Sequence, residues 1–252
     1  MKEALFIWAA IQSILFGILF LTLKKKKSNH ILGLFFVLIS LDLFSQYLLR
    51  FKDFVHLHPQ IIFISDTLGF ASGPLLFLYI RQLWYKTFQK YYYLHFLPAI
   101  VVCIFLYTNY FFTQTSFQPS DYINTWTHTI ILFGITTSQL IYFTFYLIEI
   151  RSHQLLKSVK APLAGWLSVI FVLFIINTLR SAMFFVPNLY RNITGIAQSP
   201  SQVNIAEYIF IALNSIIILM TTLWLIYNSN MFKSRTLLED ESPEQSKDEN
   251  SE

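Results

Sequence analysis

Seven apolar runs, each long enough to cross a hydrocarbon layer of about 30 Å as a helix of about 20 residues, constrain this chain more than any other feature. They fall at about 4 to 23, 31 to 50, 60 to 83, 95 to 112, 128 to 150, 163 to 187 and 204 to 227. In lipid, every backbone N–H and C=O must find its partner within the protein, so such runs fold as helices packed into a bundle. Composition agrees, at 55% hydrophobic and only 13% charged, where a soluble domain carries about a quarter charged residues. The expected fold is all-α: a polytopic integral membrane protein, with a seven-helix transmembrane bundle over residues 1–230 and a short disordered tail over 231–252. The Lys24 to Lys27 block after the first run, and that run's length, suit a retained span rather than a cleaved signal peptide.

Lysines and arginines orient the bundle, because they concentrate in cytoplasmic loops. With the N-terminus outside, 13 of them fall on the inner side and 4 on the outer, with Arg180 left inside a span. The expectation is N-out/C-in, in a bacterial inner (cytoplasmic) membrane. The net charge of +4 hides an asymmetry, since residues 239–252 hold one lysine against 7 acids. Basic loops beside membrane helices answer to topology and anionic lipid, so the pI of 9.0 is no argument for nucleic-acid binding.

Charges inside spans cost about 2.5–3.5 kcal/mol each at mid-membrane on insertion scales, so each needs a partner or a purpose. There are few: Asp42 in span 2, Asp66 in span 3, Arg180 in span 6 and Glu207 near the start of span 7. At about 1.5 Å per helical residue, Asp66 lies about 9 Å from the outer end of its span. Arg180 lies about 10 Å before Pro187 and Asp42 about 12 Å before Arg50. Two acids and a guanidinium thus share one layer, with Glu207 just above. Helical spacing adds Gln46 four residues after Asp42, Asn177 three before Arg180, and Asn214 two turns below Glu207. A buried brace, pairing Arg180 with Asp66 or Asp42, and an outward-opening ligand pocket both fit this layer. Span 3 itself, as the expected centre of the bundle, carries Gly69 and Gly73 as a small-xxx-small pair for close helix approach. Pro74 follows as a hinge that removes a backbone donor.

No catalytic set accompanies this layer, and the chain is not expected to be an enzyme. Ser72 has no histidine at its depth to act as a base, and no membrane cluster of histidines is present. His56 and His58 lack a third metal ligand and read as loop residues, so neither metal nor cofactor is expected. The single cysteine, Cys103, reads as a small apolar residue, and Asn192-Ile193-Thr194 as a chance sequon. Span 7 has no lysine for a retinal Schiff base, and Tyr79-Ile80-Arg81 falls short of the acid-Arg-aromatic triplet of G-protein-coupled receptors.

Three blocks carry a family likeness. They are His30-Ile31-Leu32-Gly33-Leu34-Phe35-Phe36-Val37-Leu38 after the lysine turn, Gly73-Pro74-Leu75-Leu76-Phe77-Leu78-Tyr79-Ile80-Arg81, and Leu94-His95-Phe96-Leu97-Pro98. Together they resemble the membrane half of AraC-type helix-turn-helix regulators of Bacteroidetes-like bacteria, in which a seven-helix sensor precedes a cytoplasmic DNA-binding domain. The likeness covers residues 1 to about 235 in architecture. It implies a sensory or signalling module that reads an outer-side or membrane-borne ligand. The DNA-binding half is missing from this sequence, and an acidic tail does not grip a phosphate backbone. Direct nucleic-acid binding is therefore not expected. A separate cytoplasmic protein partner, reached through the tail or inner loops, and a lone or truncated copy of the module both remain open, as does a homodimer. The rival readings are a small-molecule transporter or permease and, behind it, a membrane enzyme.

Overall fold

The computed structural model describes residues 2–22, 27–49, 51–58, 60–84, 90–112, 122, 125–152 and 161–196, with 209, 212, 215 and 221 as single positions. Among these residues the elements are all helical: α1 (Lys2–Thr22), α2 (Lys27–Leu48), α3 (Lys52–Leu57), α4 (Ile61–Trp84), a 3-10 turn (Lys90–Phe96), α5 (Leu97–Phe112), α6 (Trp126–Ser152) and α7 (Ala161–Thr194). Five stretches are long and apolar enough to cross a membrane, namely Lys27–Leu48, Ile61–Gln82, Tyr91–Tyr110, Trp126–Arg151 and Gly165–Thr194. Ile7–Thr22 of α1 is a shorter apolar helix. The expected seventh span, with Glu207 and Asn214, and the tail over 231–252 lie outside the described residues, apart from the four single positions. Of these four, Ser215 and Thr221 are buried and Ile209 is exposed.

Helix α4 is the hub. It packs against α2, α5, α6, α7 and the 3-10 turn, and 67% of its spanning window is buried, against 17% for Tyr91–Tyr110. One side of α4 joins a core built with Phe20, Phe36, Tyr146, Trp166 and Phe174, and Trp166 Nε1 donates to Tyr79 Oη at 2.5 Å. Its N-terminal half joins a second core with Leu106, Tyr122, Ile131 and Ile135. Exposed apolar side chains such as Leu15, Ile104, Ile130 and Val186 face away from both cores.

Among the described residues, the backbone-to-backbone helix contact lies elsewhere than at the Gly69/Gly73 pair. A Cβ added to Gly17 of α1 would stand 3.0 Å from the Gly33 carbonyl oxygen of α2, and one added to Gly33 would stand 2.9 Å from the Gly17 oxygen. The two backbones touch there, and Ser40 Oγ donates to the Ala10 carbonyl at 2.8 Å across the same pair. At Gly69 the neighbour is the Ile135 side chain, and at Gly73 it is Tyr142 and Gln139, so these glycines seat α6 side chains rather than a second backbone.

Two boundaries differ from the sequence reading. A short helix, α3, occupies the connection before α4 and ends at the exposed His58. Helix α7 runs through Pro187 to Thr194, because a proline removes one donor yet keeps a helical φ, and polar Asn188 and Asn192 remain bonded along and across that last stretch. Arg180 is therefore 14 residues from the end of its helix. Gly195 closes α7 at φ 70°, its N–H donating to the Arg191 carbonyl at 2.8 Å. This is the left-handed cap that a Cβ disfavours. Replacing Gly195 with alanine is expected to lower stability by about 1 kcal/mol, read as a shift in thermal unfolding of the purified protein.

Candidate functional site

The single charged layer expected from helix depths resolves into two clusters on different faces of α4. Adjacent residues of a helix point about 100° apart, and here Ser65 faces α2 and α7 while Asp66 faces the start of α6.

In the first cluster, Asp42 of α2 is 5% exposed and takes a hydrogen-bonded ion pair from Arg180 Nη1 of α7. Ser65 Oγ donates to the other Asp42 oxygen at 2.5 Å. Gln46 Nε2 reaches both Asp42 Oδ1 and Ser65 Oγ at 3.4 Å, and Arg180 Nη2 reaches Ser65 Oγ at 3.4 Å. Three helices are thus tied by one carboxylate whose two oxygens both accept. Asn177 stands apart from this network, its amide donating to the Leu173 carbonyl of its own helix at 2.9 Å.

In the second cluster, Asp66 of α4 is also 5% exposed. Its Oδ2 accepts from Tyr122 Oη at 2.6 Å, and its Oδ1 lies 3.7 Å from His128 Nε2 of α6. The partner of Asp66 is therefore a phenol and an imidazole, whereas Arg180 belongs to Asp42. Phe63 and His128 wall the tyrosine ring, at centroid distances of 5.3 Å and 5.0 Å. Burial first, and then the Asp66 carboxylate beside it, hold the Tyr122 phenol above the ordinary phenol range, so that it remains a donor. Next to this cluster, Asn192 Nδ2 donates to Thr129 Oγ1 at 2.7 Å, so the acceptor nitrogen of the apparent sequon serves as a tie between α7 and α6.

Further along α4, the polar contacts continue on the α6 side. Gln139, 1% exposed, donates to the Gly69 carbonyl at 2.8 Å and to Ser72 Oγ at 2.5 Å, while its own buried Oε1 has no hydrogen-bond partner among the described residues. These contacts sit one turn before Pro74, whose missing N–H leaves the Phe70 carbonyl without its usual helical donor. Tyr142 Oη stands 2.9 Å from His95 Nδ1. At the far end Arg81 pairs with Glu149 of α6, Nε to Oε1 at 3.2 Å, and stacks 5.1 Å from the Tyr92 ring centroid.

Sequence spacing does not point to Ser65, Tyr122, His128 or Glu149. Ser65 and His128 are weak signals one by one, a small polar residue and a histidine two residues into its helix. Glu149 sits two residues before Arg151 at a helix end, where charges are ordinary. Tyr122 comes from the connection between α5 and α6, and only the tertiary fold aims it at Asp66. Among the described residues no group of three or more His, Cys, Asp or Glu side chains is placed to hold a metal ion. No protein-family model matches the chain, and neither the curated proteins nor the solved structures include one that it matches.

Proposed function

We propose that this chain is a membrane sensory module, the reading that its likeness to the sensor half of AraC-type regulators implies. In this reading the protein lies in a bacterial inner membrane with the N-terminus outside, crosses seven times, and keeps its tail in the cytoplasm. The Asp42 and Asp66 clusters then lie toward the outer face, and Arg81, Glu149 and Tyr92 toward the inner. The supporting observation is the reach of α4. One uninterrupted helix holds Ser65 and Asp66 in the two clusters near one end and Arg81 in an ion pair near the other. Asp66 and Arg81 are about 22 Å apart along the axis, at about 1.5 Å per residue.

A stimulus with different affinity for two packings of α4 shifts their populations, and Pro74 marks the softest point between the ends. Arg81 and the turn carrying Tyr92 deliver the change to a cytoplasmic protein partner. A permease is the second reading, and one observation favours it: Gln139, Ser72 and the Gly69 carbonyl put polar groups between α4 and α6 well inside the span.

Hydrogen–deuterium exchange on the full chain in lipid nanodiscs tests the sensory reading. Replacing Asp66 with asparagine is expected to change exchange across residues 79–97 at least about twofold, while residues 10–20 at the α1–α2 crossing stay as in the wild type. Unchanged exchange across 79–97, or a solute flux into proteoliposomes that responds to the same substitution, overturns it.

A further inference from the structure

We infer that the 3-10 turn Lys90–Phe96, with the basic connections around it, is a docking surface for anionic phospholipid headgroups. The inference rests on the membrane crossing and not on the sensory reading. Three contacts fix which connections meet at this end of the bundle. Phe20, near the end of α1, stands 6.3 Å from Trp166 near the start of α7, and Trp166 bonds Tyr79 near the end of α4. Arg81 pairs with Glu149 near the end of α6. The stretches 23–30, 82–96 and 150–163 therefore join helices at this one end. In sequence they hold four, two and three lysines and arginines in turn, and no acid. Such a density of positive charge beside apolar spans complements an anionic leaflet, which attracts each added cation about fivefold.

Length decides the depth of the turn. Helix α5 has 16 residues, which at about 1.5 Å each reach about 24 Å, short of a hydrocarbon thickness of about 30 Å. The last residues of the turn, rising about 2 Å each, complete the crossing and leave Tyr91 and Tyr93 at headgroup level, where amphipathic rings prefer to sit. His95, which this places at the edge of the hydrocarbon, has Tyr142 Oη 2.9 Å from its Nδ1. The exposed side chains agree. Leu94, Leu97, Val101 and Ile104 recur at three- and four-residue intervals, so the outward apolar stripe of α5 runs unbroken into the turn. A soluble protein cannot cover a stripe that continues into hydrocarbon, whereas a lipid covers it with its chains and meets the cations with its phosphate. Between the exposed Tyr91 and Tyr93, Tyr92 is buried. Its ring lies 4.7 Å from that of Tyr91 and 5.1 Å from the Arg81 guanidinium carbon. Headgroups at the turn thus bear on the end of α4 through Tyr92.

The test uses the full chain in nanodiscs of phosphatidylcholine, alone or with about one third phosphatidylglycerol. In a Cys103→Ser/Tyr93→Cys variant, a nitroxide label at position 93 is expected at headgroup depth, read from its collision rates with oxygen and with a soluble nickel chelate. In the wild type, phosphatidylglycerol is expected to slow amide exchange across residues 91–96 at least about threefold at low salt, and about 0.5 M salt to remove most of that difference. Lys86→Gln/Lys90→Gln should lose most of it as well, while Lys2→Gln, at the opposite end of α1, should keep it. A label in bulk water overturns the docking and leaves the turn open to a protein. Equal exchange in the two lipids, or a difference that survives both salt and the double lysine variant, overturns the anionic headgroup as the ligand. Either failure leaves the Asp66→Asn coupling untouched.

Discussion

Arg180→Leu is expected to destabilise the protein by about 3–5 kcal/mol, because it strands the buried Asp42 carboxylate without its cation. Asp42 has two further donors, Ser65 at 2.5 Å and Gln46 at 3.4 Å, but neither supplies a charge. Ser65 and Gln46 can hold the carboxylate's direction, while the cost of keeping it ionised away from water returns in full. Asp42→Leu removes the same ion pair from the other side and should also be destabilising. The double variant Asp42→Leu/Arg180→Leu should recover most of the loss, since a buried pair replaced by apolar residues is often close to neutral in stability. Equilibrium unfolding of the purified proteins measures all three, and a coupling energy of about 2 kcal/mol or more is expected from the cycle. Single variants that each cost less than about 1 kcal/mol would show that the pair is no brace. Normal folding with a lost response would assign it to a ligand pocket instead.

The second large effect lies at the α1–α2 crossing. Gly17→Val is expected to cost about 3 kcal/mol, the upper part of the range for inserting atoms into a packed contact. The added Cβ meets Val37 Cγ2 at 2.6 Å, the Gly33 oxygen at 3.0 Å and the Val37 nitrogen at 3.2 Å. Two of those neighbours are backbone and the third is a β-branched side chain, stiff at χ1 in a helix. Nothing there can move aside unless the helices part, and parting them also breaks the bond from Ser40 to Ala10. Gly69→Ala is the contrasting change, since the three atoms nearest its added Cβ are all Ile135 side-chain atoms at 3.0–3.3 Å, and these can yield. It should cost less than about 1 kcal/mol by the same unfolding measurement. If Gly69→Ala proved the more damaging, the critical close contact would lie at α4 instead.

The contrast between these glycines shows what spacing can reveal. Gly69 and Gly73 have the four-residue interval of a close-packing motif, and Gly17 and Gly33 do not, since they come from different helices. A backbone contact between helices needs one small residue on each side at the same height, and that register is set by the fold. The charged layer behaves in the same way. Rise per residue placed Asp42, Asp66 and Arg180 at similar depth, and Gln46 on the face of Asp42, because both follow from helix geometry alone. Which acid meets the arginine depends on rotation about each helix axis and on neighbour order, and neither is encoded in spacing.

The apolar runs by themselves pointed to an all-α fold, which the described residues adopt, and to few charges within the helices. Backbone hydrogen bonding without water permits little else. The tertiary structure alone decided that α4 is the hub, that Arg180 belongs to Asp42, and that Asp66 faces a tyrosine and a histidine. These are contacts between residues 56 to 138 positions apart in the chain. They exist only once several helices have packed, when a side chain that could point to any neighbour is left with one.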